Sequence, residues 1–307
     1  MNRTLCSFID SADLVLGASA KQLCTFAVGG KLEYFITPKN LDSLVKYLTT
    51  LDNQSIKYKI VGNMSNILPS DGLNKGIYVS TRFVCEESKW FGNFVTVPCG
   101  YPLGKLCVQT SQKGLSGIEN LVGIPGTVGG AIFQNAGSFG SNICDCLQSL
   151  LVYSKGTVQS IDAKNINFGY RSSDFQTNGM IVLTATFKFH QQTSQLVTEK
   201  LKQTALKRAE LQPSLPSAGS VFKKTENFSA GYLIDQAGLK GTIFQGAQIS
   251  DKHANFIVNL GSASSQSVKH LINLCEQTVK AQFGISLERE IEYIGENNED
   301  FSRLSHP

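Results

Sequence analysis

The 307-residue sequence predicts a mixed α+β protein with about two or three domains. Three observations lead to this prediction. The chain opens with a strand, a helix and a second strand between residues 32 and 61. Residues 117–140 are unusually rich in glycine, yet they also carry many apolar side chains. Near residue 190 the sequence becomes polar and helix-prone, and we place a domain boundary there.

The first half of the chain supplies most of the predicted strands. Alternating apolar residues predict a strand over 32–36, and Asn40 can cap the helix that follows it. Residues 14–16 form a weak helix-like apolar patch in a polar lead-in. The remaining predicted elements before residue 190 are strands over 58–61, 77–84, 94–97, 147–153 and 180–189 and a helix over 102–112.

The second half is predicted to contain two long helices and a final strand. Residues 191–211 form the first helix, with Val197, Leu201, Ala205 and Ala209 on one face. The second helix carries Val268, Leu271, Ile272, Cys275 and Val279 on one face, and Gly284 ends it. In the last strand, over 285–294, residues Leu287, Ile291 and Tyr293 alternate with Glu288, Glu290 and Glu292. Periodicity alone predicts that these glutamates face solvent, and the tail after residue 295 is expected to fray.

Composition excludes several classes of protein. A hydrophobic fraction of 41% and a charged fraction of 17% are ordinary for a folded globular chain. The net charge of +4 is spread along the sequence, so we expect no nucleic-acid partner, although an anionic small substrate would fit. No signal-peptide pattern is present and no apolar run is long enough to span a membrane, so we expect no membrane insertion.

The eight cysteines form no recognisable disulfide or metal pattern. Cys144 and Cys146 are close in sequence, but one such pair without a second is a weak metal signature, and we expect no metal site. The others are expected to be small buried hydrophobes in a reducing cytoplasm: Cys6, Cys24, Cys85, Cys99, Cys107 and Cys275.

Two glycine-containing segments are candidates for binding phosphate. Glycine is costly in helices and strands, so a stretch such as 117–140 indicates close approach of the backbone to a large ligand. A flexible linker is the alternative, but the apolar residues within the stretch favour burial. The loop Gly62–Asn66, G-N-M-S-N, follows a predicted strand and can present successive N–H groups to an anion, although an ordinary turn has the same composition.

The motifs of the common phosphate-binding folds are missing from this sequence, which excludes those folds. No G-x-G-x-x-G follows a strand, and neither a Walker loop nor a G-x-S-x-G elbow occurs. Four histidines, His190, His253, His270 and His306, make a histidine-rich metal centre improbable. The loops therefore belong to another nucleotide-cofactor architecture.

A set of motifs in fixed order resembles the UDP-N-acetylenolpyruvoylglucosamine reductase family. In the first half these are F-A-V-G-G at 26–30, G-N-M-S-N at 62–66, G-I-P-G-T-V-G-G at 123–130 and N-A-G at 135–137. In the second half they are Y-R-x-S at 170–173, A-G-S-V-F-K at 218–223, A-G-x-L-I-D at 230–235 and L-x-x-E-I-x-x-I-G at 287–295. The resemblance covers residues from about 22 to 295 and matches the shorter of the family's two types.

The resemblance implies a cytoplasmic bacterial flavoenzyme of peptidoglycan precursor synthesis, expected to be monomeric. Its fold would be α+β, with two α/β FAD-binding subdomains of the vanillyl-alcohol-oxidase type and a C-terminal α/β substrate domain. The implied boundaries are a lead-in at 1–21, the FAD-binding domain at 22–189, the substrate domain at 190–295 and a tail at 296–307. NADPH would reduce FAD, which in turn would reduce the enolpyruvyl ether of a nucleotide sugar. Because no histidine precedes His190, FAD is expected to be bound non-covalently.

The resemblance also assigns residues to FAD and to catalysis. The implied FAD-binding residues are Gly62, Asn63, Met64, Ser65, Asn66, Gly123, Ile124, Pro125, Gly126, Thr127, Gly129, Gly130, Asn135 and Gly137. The implied catalytic residues are Arg171, which would hold the substrate carboxylate, Ser220, a proton donor, and Glu290, its acidic partner. Taken alone, Arg171 would be a surface arginine, Ser220 a turn serine and Glu290 a solvated strand residue. Where the family has glycine, this chain has Met64, which implies a different approach to the flavin diphosphate.

Substrate contacts are assigned from the same motif segments. The implied residues are Tyr170, Lys223, Lys224, Tyr232, Lys240, Gln248, Lys252, His253 and Asn255. The lysines are candidates for the diphosphate, but most lysines are simply solvated, and His253 fits a structural role better. The pair Lys224-Thr225 replaces the family's Asn-Pro. Two other functions stay open, namely a different FAD oxidoreductase of the same fold and a binding module without activity.

Overall fold

A computed structural model describes Leu5 and residues 7–295 of the chain. Cys6, His306 and the predicted tail lie outside these residues. The strands are β1 Leu14–Ser19, β2 Lys31–Ile36, β3 Tyr58–Val61, β4 Ile67–Pro69, β5 Leu73–Ser80, β6 Lys89–Phe91, β7 Phe94–Pro98, β8 Leu115–Ser116, β9 Gly137–Ser138, β10 Ser141–Asn142, β11 Leu147–Ser154, β12 Thr157–Asp162, β13 Phe168–Gly169, β14 Ser172–Ser173, β15 Ile181–Lys188, β16 His190–Gln191, β17 Ile243–Phe244, β18 Ala247–Ile249, β19 Ile257–Asn259 and β20 Glu292–Ile294. The α-helices are α1 Ala20–Leu23, α2 Leu41–Asn53, α3 Leu103–Gln112, α4 Val128–Phe133, α5 Ser194–Leu211, α6 Ala230–Gln236 and α7 Ser265–Phe283.

A four-stranded sheet separates two hydrophobic cores. Its strand order is β1-β2-β5-β3, with β1 antiparallel to β2 and the other neighbours parallel. In β5, Ile77 and Val79 point into the first core, whereas Tyr78 points into the second. Both faces are buried, which explains why β5 ends in a continuous apolar run rather than an alternating one.

The first core also contains a five-stranded antiparallel sheet and the glycine-rich stretch. The sheet order is β12-β11-β15-β7-β6, and α3 and α4 contribute buried residues to the same core. The second core combines residues 18–78 with residues 218–294. The C-terminal part of the chain therefore shares its core with the first sheet. The domain division at residues 189 and 190 stays a prediction.

The C-terminal part is attached through its last strand. A three-stranded sheet β17-β18-β19 packs with α7, and Gly284 ends that helix in the left-handed conformation, as predicted. The strand β20 pairs in parallel with β4 in the first half of the chain. The predicted strand over 285–294 is therefore wrong in length, because the segment before residue 292 takes up other backbone pairings.

Two further predictions about elements are wrong. The patch around Leu14–Leu16 is not helical but forms β1, because pairing with β2 overrides a weak local preference. In α5 the buried or half-buried residues are Val197, Thr198, Leu201, Thr204 and Arg208, whereas Ala205 and Ala209 are exposed. A repeat of four drifts around a helix of 3.6 residues per turn, so the true face alternates steps of four and three.

The described cysteines are free thiols, and Cys24, Cys99, Cys107 and Cys275 are buried as expected. Cys146, for which no burial was predicted, is buried as well. Cys85 is exposed, contrary to the prediction for it. Within the described residues no helix is long and apolar enough to cross a membrane.

Candidate active site

A cavity of about 590 Å³ lies between the glycine-rich stretch and the C-terminal segments. A volume of this size is ordinary for a site that binds a cofactor or small ligand. Residues from 60–67, 123–138, 175–182 and 212–220 line most of its wall, and Arg171, Glu290 and Glu292 add charged side chains. Segments that are far apart in sequence therefore meet at one site.

The loop Gly62–Asn66 presents unused backbone donors to this cavity. The N–H groups of residues 63–66 make no hydrogen bond to any other described residue. Met64 has a φ of 48°, in the left-handed region, and its side chain is buried in the second core. Successive free N–H groups in such a loop form a concavity suited to an anion. Met64 therefore adopts a left-handed conformation that glycine would adopt more easily, and its side chain packs among apolar neighbours.

The loop 62–66 is tied to the glycine-rich stretch. The Asn63 side-chain amide donates to the Pro125 carbonyl at 2.7 Å. A Cβ atom added at Gly62 would lie 2.8 Å from Thr127 Oγ1, and that oxygen accepts from the N–H of Gly130 to cap α4. The two candidate phosphate-binding segments thus form one continuous wall, which we call the glycine wall (residues 62–66 and 117–140).

Glycines in this wall serve two purposes. At Gly117 an added Cβ would lie 2.2 Å from Cys146 Sγ, and at Gly129 it would lie 2.9 Å from Cys99 Cβ. These two glycines allow close packing within the protein itself. Gly126 and Gly130 line the cavity and have no neighbour nearer than 3.4 Å to an added Cβ, so their bare backbone is open to a ligand.

The glycine wall also holds a buried glutamate that is fully paired. Glu119 is 1% exposed. Its carboxylate accepts hydrogen bonds from Ser116 Oγ at 2.6 Å and from the N–H of Gly117 at 2.9 Å, and Lys200 Nζ lies 3.7 Å away. Burial raises the pKa of this carboxyl, but these hydrogen bonds and the Lys200 charge outweigh it, so the pKa lies below its ordinary value.

A second part of the cavity lining carries the predicted catalytic residues. We call it the polar wall, formed by the lining residues 171, 218–220, 290 and 292 together with the adjoining residues 170, 221–223, 288–289 and 291. Its backbone is paired in series: the Val221 N–H donates to the Asn255 carbonyl at 2.8 Å, and the Glu290 N–H donates to the Val221 carbonyl at 2.8 Å. Ser220 and Glu290 therefore lie on adjacent paired segments.

Arg171 enters the polar wall from a tight hairpin. It occupies the second position of the two-residue loop between β13 and β14 and has a φ of 53°, which is uncommon for a residue with a side chain. Its Nε atom lies 2.8 Å from Glu290 Oε1, with the two side chains 20% and 11% exposed. The Nε–H is not directed at that oxygen, and this buried group forms no hydrogen bond. The pair is an ionic contact that leaves a guanidinium donor free.

Glu290 and Ser220 are both available for proton transfer. Burial raises the pKa of the Glu290 carboxyl above its ordinary value, although the positive charges of Arg171 and Lys223 oppose the shift. The Ser220 hydroxyl lines the cavity and makes no hydrogen bond to the described part of the chain. A carboxyl with a raised pKa and an unpaired hydroxyl in the same cavity are suited to protonating a bound anion.

Comparison with known proteins identifies the family. Residues 212–294 match the C-terminal domain of UDP-N-acetylenolpyruvoylglucosamine reductase, and residues 32–162 match an FAD binding domain. The reductase of Caldicellulosiruptor bescii is 40% identical over 90% of this chain and 89% of its own length, and that of Thermosipho melanesiensis is 38% identical over 91% and 95%. The chain belongs to the UDP-N-acetylenolpyruvoylglucosamine reductase family.

A solved structure supports the same assignment. The crystal structure of the Thermus caldophilus reductase matches 91% of this chain and 97% of its own with 31% identity and a TM-score of 0.77. The resemblance drawn from the sequence motifs is thus confirmed. So is the fold class, an FAD-binding part followed by the family's C-terminal domain.

The FAD-binding residues inferred from this family are gathered in the glycine wall. Those that line the cavity are Gly62, Asn63, Met64, Ser65, Asn66, Gly123, Ile124, Pro125, Gly126, Thr127, Gly129, Gly130 and Gly137. Asn135 is not among the lining residues. Its side-chain amide donates to the Gly169 carbonyl at 2.8 Å, so it supports the hairpin that carries Arg171.

The residues inferred to bind substrate lie outside the lining of this cavity. Tyr170 precedes Arg171 in the hairpin loop, and its hydroxyl accepts from the Lys224 N–H at 3.2 Å. Lys223 pairs with Glu288 at 2.7 Å. Tyr232 is exposed and stacks on Phe228, with ring centroids 5.8 Å apart.

The others are engaged in contacts within the protein. Both polar atoms of the Asn255 amide are paired with the backbone of Phe222. His253 Nδ1 accepts from the Asn255 N–H at 3.2 Å, and burial lowers the pKa of this imidazole. The remaining contacts are Lys240 with Asp235 at 3.7 Å, Gln248 with Asp251 at 2.9 Å, and Lys252 with the Ala209 carbonyl at 2.7 Å.

Arg208 is a cavity residue that the sequence did not indicate. It lies on α5, donates to the Val122 carbonyl at 2.9 Å and to Ser138 Oγ at 2.7 Å, and makes no ion pair with a described carboxylate. Its positive charge therefore remains available at the glycine wall. In the sequence it is one basic residue in a polar helix, and its spacing from Val197, Leu201 and Thr204 was the available signal.

Proposed function

We propose that this protein uses NADPH to reduce the enolpyruvyl group of UDP-N-acetylglucosamine enolpyruvate to the lactyl ether of UDP-N-acetylmuramate, a step of peptidoglycan precursor synthesis. One observation carries the proposal: Arg171, Ser220 and Glu290 come from distant segments and line a single cavity. They do so in a chain of the reductase family, in a cavity that also includes a wall suited to FAD.

The glycine wall fits FAD. The free N–H groups of residues 63–66 and the bare backbone at Gly126 and Gly130 would receive its diphosphate, with the Arg208 charge nearby. No histidine lies among the described lining residues, in keeping with non-covalent binding. When bound, FAD supplies hydride transfer from NADPH to the carbon–carbon double bond of the substrate.

Arg171 would hold the carboxylate of the enolpyruvyl group. A guanidinium can donate two parallel hydrogen bonds to a carboxylate and does not lose its charge at physiological pH. Arg171 lines the cavity, so its guanidinium can meet an incoming carboxylate there. Negative charge that builds on that carboxylate during reduction would be stabilised by the same donors.

Ser220 would supply the proton that completes the reduction. Saturating a double bond requires one hydride and one proton, and the proton has to come from the protein or from water. Ser220 precedes Val221, whose carbonyl accepts from the Glu290 N–H, and burial raises the pKa of the Glu290 carboxyl. We assign Ser220 Oγ as the proton donor and Glu290 as the acid that supports it.

The nucleotide end of the substrate would lie along the outer part of the polar wall. We propose contacts from Tyr170, Lys223, Lys224, Tyr232, Lys240, Gln248 and Lys252, while His253 and Asn255 hold the segment 221–223 in place. We further propose that the protein is a cytoplasmic monomer that supports cell shape and division through its product.

An anaerobic spectroscopic titration tests the proposal. The purified protein is expected to be yellow, NADPH should bleach the flavin absorbance, and the enolpyruvyl nucleotide sugar should restore it. UDP-N-acetylglucosamine, which lacks the enolpyruvyl group, should not. If the enolpyruvyl substrate leaves the flavin reduced while oxygen or another acceptor reoxidises it, the assignment is overturned.

A further inference from the structure

Asn66 connects the glycine wall to the backbone of the predicted catalytic glutamate. Its side-chain amide donates to the Glu290 carbonyl at 2.9 Å, across 224 positions of sequence. Its own carbonyl accepts from the Glu292 N–H at 2.9 Å. One residue of the cofactor loop therefore makes two hydrogen bonds that bracket Glu290 and Ile291.

These contacts complete the support of Glu290 from both sides. The Glu290 N–H donates to the Val221 carbonyl at 2.8 Å, and the Glu290 carbonyl accepts from Asn66. With both backbone groups held, the side chain is directed toward Arg171. Strand β20 begins two residues later, so the Asn66 amide supports the stretch just before regular pairing with β4 starts.

We propose that Asn66 is a positioning residue for Glu290, a role that rests on the proposed function of that glutamate. The Asn66 backbone N–H stays available to the cofactor, whereas its side chain serves the polar wall. A backbone carbonyl in a largely buried segment needs a donor, and the Asn66 amide is the one this structure provides. The loop 62–66, which would bind the cofactor, thus also positions the carboxyl group of Glu290.

Asn66→Ala would remove the donor and leave the Glu290 carbonyl unpaired. Residues 290–291 are then expected to loosen and admit water, which lowers the pKa of the Glu290 carboxyl toward its ordinary value because desolvation is its largest cause. Asn66→Asp has nearly the same size but cannot donate, so it should resemble Asn66→Ala. It provides a second variant if the alanine protein folds poorly.

The matched control is Asn63→Ala in the same loop. Asn63 donates to Pro125 within the glycine wall and makes no hydrogen bond to the described residues of the polar wall. For Asn63→Ala we expect weaker FAD binding by the apoprotein and an unchanged pH profile once FAD is saturating. For Asn66→Ala we expect FAD affinity and flavin reduction by NADPH within about threefold of wild type. Reoxidation by the enolpyruvyl substrate should be about tenfold slower, with its pH profile moved to lower pH.

Two results would overturn the role of Asn66. The first is a loss of FAD affinity with both half-reactions slowed equally and the pH profile unmoved. The second comes from the apoprotein, where the Glu290 carboxyl is titrated by ¹³C NMR and assigned with Glu290→Gln. If its pKa is the same in wild type and Asn66→Ala, Asn66 does not position it. Because the NMR titration needs no substrate, it gives a result even if the substrate fails to reoxidise the flavin and the proposed function falls.

Discussion

Glu119 in the glycine wall is buried and Glu290 in the polar wall is partly buried, and the two differ in how fully they are paired. Glu119 in the glycine wall accepts hydrogen bonds from Ser116 and Gly117, and its pKa is lowered. Glu290 in the polar wall has an ionic contact to Arg171 without an aligned hydrogen bond, and its pKa is raised. The first arrangement keeps a carboxylate charged and fixed, as a structural group requires. The second leaves hydrogen-bonding capacity unused on the Arg171 guanidinium, the Glu290 carboxyl and the Ser220 hydroxyl, as is typical of a site that binds a ligand.

The largest effect is expected at Ser220 in the polar wall. Ser220→Ala should leave flavin reduction by NADPH near the wild-type rate and slow reoxidation by the enolpyruvyl substrate by about 10²–10⁴-fold, the usual contribution of a proton donor. Stopped-flow absorbance of the flavin separates the two half-reactions. Ser214→Ala is the control, since Ser214 lines the same cavity but is exposed. Equal loss in both half-reactions would make Ser220 a structural residue.

Arg171→Ala removes the other group that the polar wall leaves unpaired. We expect kcat/KM for the enolpyruvyl substrate to fall by about 10²–10³-fold, because the donor acts where charge develops. Flavin reduction by NADPH should change little. Arg82→Ala, at an exposed arginine that does not line the cavity, should behave as wild type. An unchanged kcat/KM in Arg171→Ala would contradict the role assigned to the polar wall, since Arg171 would then not be the group that binds the substrate carboxylate.

Arg208→Ala tests whether the glycine wall uses charge as well as backbone. Loss of a cation that donates to Val122 and Ser138 should weaken FAD binding by roughly 10–100-fold. The dissociation constant is measured from quenching of flavin fluorescence by the apoprotein. Lys207→Ala removes a neighbouring positive charge that is exposed, and it should have little effect. Equal weakening in both variants would indicate a general charge effect instead.

Gly129→Ala tests the packing role of glycine in the same wall. The added Cβ would lie 2.9 Å from Cys99 Cβ, which is too close without a shift, so unfolding free energy should fall by about 1–3 kcal/mol and Tm by several degrees. Gly104→Ala, where an added Cβ meets nothing within 4 Å, should not lower Tm. Equal thermal stability of the two variants, measured by calorimetry, would contradict the close-packing explanation.

The smallest effect is a pH dependence of stability that arises from Glu290. Its pKa in the folded protein is raised above the ordinary 4.5, so the folded state binds the proton more tightly than the unfolded state does. This contribution is full below pH 4.5 and is lost as pH rises through the raised pKa. Glu290→Gln should flatten that part of the stability curve, measured by urea unfolding. Glu288→Gln, at an exposed carboxylate, should keep it.

The two walls also differ in how much of them the sequence could predict. Gly126, Thr127 and Gly130 belong to one short glycine-rich run, so the local sequence was enough to predict a backbone exposed to a ligand. The order of the motifs then predicted the family and the fold. Glu290 was predicted by resemblance alone, since its periodicity indicated a solvated strand face. Its burial depends on backbone pairing with Val221 and Asn66, and such long-range contacts leave no local pattern.

Other features were hidden for the same physical reason. Strand β1 exists because β2 offers it a partner, not because its residues favour a strand. Arg208 looks like a solvated helix residue until α5 packs against α3. The positions of the side chains inferred to bind substrate, such as Lys240 and Lys252, depend on how surface loops are arranged. The local sequence does not determine that arrangement.

The pairing of β20 with β4 has a consequence for synthesis of the protein on the ribosome. Asn66 is made 224 residues before Glu290, and translation at about 5–20 residues per second separates them by roughly 10–45 s. In the first part of that interval, before residues from 218 onward are made, the face of the first sheet that carries Phe35, Val61 and Tyr78 has no C-terminal partner to cover it. The nascent chain therefore presents an apolar surface during this period, which makes it a candidate client for chaperones that act during translation.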